Sequence, residues 1–274
     1  MSVSERQRSE PWMIEPGTTV SLTDYDPDHT GCFRNEKAAA DAMRADLERL
    51  RELQELLHVE GRHAVLLVLQ GMDTSGKDGM IKHLSSGLSL VGAEVSDFKQ
   101  PTAPELQHDF LWRIHQRVPE RGRIGIFNRS QYEDVLVVRV HDLVPEKVWE
   151  KRYEQINAFE QMLTENGTTI VKCFLHISKK EQKERLLARL ADSTKLWKFN
   201  PGDLKERGHW SAYQQAYAAA LTRCNTAAAP WYMIPANKKW YRNYVVTRIL
   251  VETLERLDMR YPTPDFDPAD IKIR

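Results

Sequence analysis

His63-Ala-Val-Leu-Leu-Val-Leu-Gln70 runs straight into Gly71-Met72-Asp73-Thr74-Ser75-Gly76-Lys77, and this junction decides the architecture. A continuous apolar run bounded by Gly61 and Gly71 suits a strand buried on both faces. The glycine-rich turn after it fits GxxxxGK and predicts a helix opening at its end and running toward Leu90. In that setting the glycines let successive N–H groups point inward, the helix N-terminus adds its positive end, and Lys77 brings a mobile cation. Gly71, Thr74, Ser75, Gly76, Lys77 and Asp78 are therefore the candidate phosphate-binding residues.

Working outward, strands and helices alternate. Met43, Leu47, Leu50, Leu53 and Leu57 recur at spacings of three and four, which predicts an amphipathic helix over Lys37 to Val59. Further strands are expected near Ala93 to Phe98, Arg123 to Phe127, Thr169 to Ile177 and Trp231 to Ile234. Helices are expected over Pro104 to Val118, Glu146 to Thr164, Ser211 to Thr222 and Lys239 to Leu257. Ser178 with Glu181 three positions on forms a capping box that starts another helix, and Asn200, Pro201 and Gly202 interrupt the pattern between Asp192 and Gly208. Such alternation specifies a parallel sheet with helices on both faces, an α/β/α sandwich. The first thirty or so residues, rich in Pro, Gly, Asp, Ser and Thr, are expected to lie over the body as an extended arm.

The chain has 274 residues, enough for one large α/β domain or two small ones, with 39 Lys and Arg balanced by 39 Asp and Glu; no linker is long enough to divide it, so one domain is expected. The longest apolar run is too short to span a bilayer and the amino end has no apolar signal core, so no membrane segment and no secretion are expected. Cys32, Cys173 and Cys224 are odd in number and far apart, which points to a reducing cytoplasm rather than a disulfide framework. The histidines form no HExxH pair, which argues against a zinc site. Charge is uneven: residues 1 to 62 carry 8 basic against 13 acidic residues, whereas Lys179 to Trp210 carries 9 against 5. With Lys238, Lys239, Arg242 and Arg248, the latter stretch is either a positive field for an anionic ligand or a set of solvated helix faces.

A second polar cluster follows the strand at Ile124 to Phe127. Asn128-Arg129-Ser130-Gln131-Tyr132-Glu133-Asp134 should sit beside the phosphate loop, because the carboxyl ends of parallel strands share one crevice. Arg129 can there clamp a transferring phosphoryl group, and Asn128 can cap the next helix as well. Position 78 is Asp, where a Walker A motif has Ser or Thr for Mg²⁺. Asp73 is then the substitute metal ligand, its other role being an Asx-type turn residue. The Asp that ends an ordinary Walker B strand is also missing. Trp197, Trp210, Tyr213 and Tyr217 can stack a base or pack in the core.

GMDTSGKDG at 71–79, FNRSQYEDVLVVRVH at 127–141 and KLWKFNPGDLKERGHW at 195–210 together resemble the polyphosphate kinase 2 family, over about 37–257. The resemblance implies a P-loop kinase fold with a helical lid, a homodimer or homotetramer, and Mg²⁺-dependent phosphoryl transfer between inorganic polyphosphate and a nucleotide. It divides the chain into an arm at 1–34, a single kinase domain at 35–262 with a lid at about 179–226, and a tail at 263–274. Asp73, Lys77 and Arg129 become the catalytic residues, with Asp73 on the metal. Asn128, Glu133 and Asp134 become the nucleotide side, and Arg185, Arg189 and Lys198 line the polyphosphate path. Glu133 stands where members that use nucleoside diphosphates tend to have Asn. It resembles the subgroup that converts AMP to ADP to ATP, and the choice between adenine and guanine nucleotides is left open. No nucleic acid is expected as a partner. Two competing readings are an ATP-dependent nucleoside monophosphate kinase and a non-catalytic polyphosphate-binding protein.

Overall fold

Five strands, all paired in parallel, form one sheet in the order β2-β3-β1-β4-β5. The structure, a computed structural model, describes residues 12–267, 270, 271 and 273. In chain order the elements are α1 (Glu36–Glu60), β1 (Ala64–Gln70), α2 (Lys77–Leu84), β2 (Ala93–Asp97), α3 (Trp112–His115), β3 (Ile124–Asn128), α4 (Val137–Val140) and α5 (Glu146–Glu165). There follow β4 (Thr168–His176), α6 (Lys179–Ala191), α7 (Gly202–Gly208), α8 (Trp210–Arg223), β5 (Trp231–Pro235) and α9 (Lys239–Glu255).

Every side chain of β1 is buried, as its apolar run requires for the central strand of a sheet covered on both faces. Alternate β4 side chains, Lys172 and Phe174, meet Glu160 of α5 and Tyr217 of α8, so those helices cover one face. Helix α9 packs on β4 and β5 and against α1 and α2. The capping residues do what their chemistry predicts at α1 and α6: Asn35 Oδ1 accepts from Ala38 N, and Ser178 Oγ accepts from Glu181 N. The return half of the Ser178 box is absent. Glu181 pairs instead with Arg185, and Ser178 N donates to Asn237 Oδ1.

Three sequence expectations are corrected. Helix α2 stops at Leu84 rather than near Leu90, because Ser85 and Ser86 turn their hydroxyls back onto the carbonyls of Lys82 and His83. The single helix expected over Pro104 to Val118 is a 3₁₀ turn at Glu105–Gln107 followed by the short α3. Asp109 Oδ1 accepts from Leu111 N and restarts the chain between them. The break expected between Asp192 and Gly208 contains a 3₁₀ turn at Leu196–Lys198 and helix α7, which opens after Pro201.

Residues 1–11 of the expected arm lie outside the described residues, as do 268, 269, 272 and 274 of the tail. From Trp12 the chain runs antiparallel beside β5, with Ile14 N donating to Trp231 O and Met233 N donating to Trp12 O. Ile14, Val20 and Leu22 are buried there. No helix among the described residues is long and apolar enough to cross a membrane.

Candidate active site

The sheet register brings the two polar motifs together. Leu69 of β1 lies opposite Asn128 of β3, so the phosphate loop and Arg129 leave the sheet side by side, and Arg129 N donates to Leu69 O. Gln70 Nε2 donates to Ser130 Oγ at 3.0 Å and ties the two turns. Arg129 and Thr74 both adopt left-handed backbone (φ +63° and +65°), a strained setting for non-glycine residues that clusters at functional sites. The turn directs the Arg129 guanidinium to Asp73, with Nη2 3.3 Å from Oδ1. Burial disfavours the Arg129 charge, and nearby Glu133 and Asp73 outweigh that effect.

The loop is held from beneath. Arg185 of α6 donates from Nη1 to the carbonyls of Thr74 and Ser75, and from Nη2 to those of Ala236 and Asn237. Gln182 Nε2 donates to Asp73 O at 3.1 Å. Lys77 is buried and its ammonium donates to the carbonyl of Gly71 at 2.7 Å, with Met72 O 3.4 Å away. Burial, reinforced by Arg129, lowers its pKa. A Cβ on Gly71 would fall 2.8 Å from Leu175 O, so the turn closes against β4 only with glycine there.

Two cavities open off this turn. One, of about 430 Å³, is lined by Gly71, Asp73, Glu133, Tyr213 and Tyr217 among others. It holds a single cation, Arg129, against four carboxylates: Asp73, Glu133, Asp203 and Glu206. The other, of about 690 Å³, runs over the loop and α6 and holds eight Lys and Arg against five carboxylates. They share Asp73, Arg129 and Asp203.

Most of the residues expected from the sequence lie on these walls. Gly71, Asp73, Arg129 and Glu133 line the acidic cavity; Asp73, Thr74, Gly76, Lys77, Asp78, Arg129, Arg185, Arg189 and Lys198 line the basic one. Burial raises the Glu133 pKa against the opposing pull of Arg129 and Lys77. Three expected residues line neither cavity. Ser75 is fully buried beneath Gly71. Asn128 Nδ2 donates to Asp78 Oδ1 at 3.1 Å and braces the start of α2, while its buried Oδ1 has no hydrogen-bond partner among the described residues. Asp134 turns to Arg152 of α5, 2.8 Å away, and burial pushes its carboxyl up to about 6. Arg185 borders the basic cavity, but its hydrogen bonds are directed to backbone carbonyls and Glu181, so it positions the loop. Arg189 donates to Lys198 O and Asp203 Oδ2, joining α6 to the 195–203 segment.

Sequence reasoning missed Asp203, Glu206 and Gln182, all brought in by packing. Arg242 was visible only as one member of a basic stretch. It is 2% exposed and lies against Gly76 and Gly79, and its guanidinium donates to Asn243 Oδ1. Burial and neighbouring Arg185 lower its pKa to about 10.

A parallel α/β sheet with a GxxxxGK loop at its carboxyl edge, opening onto two cavities that meet at an arginine and a carboxylate, defines a P-loop kinase. A sequence model described as polyphosphate kinase 2 matches residues 34–262, and the chain belongs to that family. It is 53% identical over 255 residues to an AMP/ADP-polyphosphate phosphotransferase of Meiothermus ruber, covering 93% of this chain and 96% of that protein. It is 43% identical over 267 residues to an ADP-polyphosphate phosphotransferase of Rhodopseudomonas palustris, covering 93% and 92% of the two chains. The crystal structure of polyphosphate kinase 2 from Arthrobacter aurescens TC1 superposes with a TM-score of 0.92 at 45% identity, covering 95% of this chain and 93% of that one.

Proposed function

We propose that this chain transfers phosphoryl groups from inorganic polyphosphate to AMP and then to ADP, giving ADP and ATP. The observation that carries this reading is the pair of oppositely charged cavities joined at Asp73, Arg129 and Asp203. A polyanion is attracted along the basic cavity and repelled from the acidic one, so donor and acceptor are sorted to opposite sides of the junction. An ATP donor would need few cations, whereas a polymer interacts with an extended track of them.

At the junction the terminal phosphate oxygen of the nucleotide attacks the end phosphorus of the polymer in line. A new P–O bond forms, the bridging P–O bond breaks, and its electron pair leaves with the shortened polymer. The attacking oxygen is already anionic, so positioning and electrostatics carry the reaction and no strong general base is required. Arg129 holds the equatorial oxygens as charge redistributes. Lys77 commits hydrogen bonds to the loop carbonyls and keeps the loop shape, with a further donor available to phosphate. Among the described residues no group of three or more potential ligands forms a protein cage for a metal. The partly exposed Asp73 carboxylate fits Mg²⁺, which takes one or two carboxylates together with phosphate oxygens and water. Bound there, Mg²⁺ supplies charge neutralisation at the phosphoryl oxygens.

The same reading includes guanine nucleotides as further acceptors, a cytoplasmic setting, and association into dimers or tetramers. Exposed Leu90, Val91 and Val95 beside and on edge strand β2 support the association.

The test is product analysis after mixing the chain with Mg²⁺, long-chain polyphosphate and, separately, AMP, ADP, GMP and GDP. ATP formed from AMP by way of ADP, and only with polymer present, is expected. Asp73→Ala is expected to abolish turnover while polyphosphate binding persists. Normal turnover in that variant removes Asp73 from the mechanism, and absence of product from every acceptor removes the reading.

A further inference from the structure

Glu206 has no role in phosphoryl transfer as described above, yet it lines the acceptor cavity in a fixed orientation. Its Oε2 accepts from Tyr213 OH at 2.6 Å and from His141 Nε2 at 2.9 Å. Neither donor belongs to α7: Tyr213 is on α8, and His141 follows α4. Two elements therefore set the carboxylate, while Oε1 has no protein donor among the described residues. Burial raises the Glu206 pKa, but the hydrogen bonds from Tyr213 and His141 outweigh it and hold the group below the usual carboxylate range. The free oxygen is thus a charged acceptor at neutral pH.

Position narrows what it accepts. Asp203 belongs to the junction where the phosphoryl group moves, and Glu206 follows it by one turn on the same face of α7. That places Glu206 about 5 Å along the helix, a step comparable to that from a 5′-phosphate to its pentose. At the junction Arg129 offsets the carboxylates, but no other Lys or Arg lines this cavity, so a phosphate is repelled at the depth of Glu206, and the amino groups of a base lie farther along the nucleotide. A neutral hydroxyl of the sugar meets both the chemistry and the distance.

Resting on the acceptor cavity assigned above, we propose that Glu206 accepts a hydrogen bond from a ribose hydroxyl of the acceptor and selects ribonucleotides over deoxyribonucleotides. Tyr213 and His141 are positioning residues that hold its carboxylate.

The test measures kcat/KM with polyphosphate for AMP, 2′-deoxy-AMP, 3′-deoxy-AMP and IMP, in wild type, Glu206→Gln and His141→Gln. The wild type is expected to favour AMP over at least one deoxy analogue by about 10- to 100-fold, the range of a charged hydrogen bond. Glu206→Gln is expected to bring that ratio toward one by losing AMP turnover while the deoxy analogue changes little. His141→Gln, which keeps the carboxylate and loosens it, is expected to fall between. An unchanged ribo-to-deoxy ratio in Glu206→Gln, or equal losses on all acceptors, overturns the proposal. So does a collapse of the AMP-to-IMP ratio alone, which assigns Glu206 to the base. Wild-type turnover of AMP tests the functional reading separately: with turnover present and the ratio unmoved, only the Glu206 assignment fails. Without turnover on any nucleotide, both fail.

Discussion

Gly76→Ala tests how the phosphate loop and helix α9 are built around one another. Gly76 caps α2 at φ +103°, where an L side chain is strained by about 1–2 kcal/mol. Its Cβ would also fall 1.8 Å from Arg242 Nη1 and 3.0 Å from Cζ. The guanidinium cannot stay in place. Moving it sacrifices the hydrogen bonds to Asn243 Oδ1, at 2.7 and 3.2 Å, which contribute about 1.5–3 kcal/mol for a charged donor. The expected loss is therefore about 3–5 kcal/mol, a large share of the 5–15 kcal/mol that is typical of folded domains. The assay is urea unfolding of wild type, Gly76→Ala, Arg242→Ala and the double variant. The double variant is expected to be about 1.5–3 kcal/mol more stable than the sum of single effects, because the lost Arg242 hydrogen bonds are counted in both single variants and only once in the double. Wild-type stability in Gly76→Ala refutes the packing argument. Strict additivity in the cycle would assign the whole loss to the backbone and free Arg242 from it.

Lys172 and Glu160 form a buried pair 2.6 Å apart, with Tyr132 OH and Cys224 O also bonded to the ammonium. Lys172→Met strands a charge and is expected to destabilise the fold by about 3–5 kcal/mol; adding Glu160→Gln should recover part of that in denaturant melts, and additive losses would contradict the coupling. Asp134, raised from 3.8 to about 6 by burial, keeps its proton in the folded chain at pH values where the unfolded chain has lost it. Its contribution to stability is full below about pH 4 and falls by up to ~3 kcal/mol as pH rises through 6, so Asp134→Asn should flatten the decline in urea midpoint between pH 4.5 and 7. An unchanged slope would place the titration elsewhere. Glu133→Asn is expected to lower AMP turnover by about tenfold more than ADP turnover, the effect of one charged contact in the acceptor cavity; equal losses would remove Glu133 from acceptor choice.

Local patterns along the chain determined the parallel sheet, the phosphate loop and the placement of the Arg129 turn beside it. A fully buried strand has a continuous apolar signature, and a strand-loop-helix junction shares one crevice with its neighbours. The same patterns misjudged the short segments at 85–90, 104–118 and 192–208, where side-chain hydroxyls, an Asx turn and a proline set the boundaries. Only the tertiary structure decided which charges line the two cavities. Asp134 and Asn128 carry the right chemistry at the right strand end, but an Asp134 carboxylate oxygen turns to Arg152 and the Asn128 amide nitrogen to Asp78. Arg185 looks like a free lid cation in sequence, yet four backbone carbonyls hold its guanidinium beneath the loop. Conversely, Asp203, Glu206 and Arg242 are ordinary charged residues until α7 and α9 are folded against the loop. Periodicity reports which side of an element is apolar; a polar side chain acquires its role from partners far along the chain, and only folding brings those within a few ångströms.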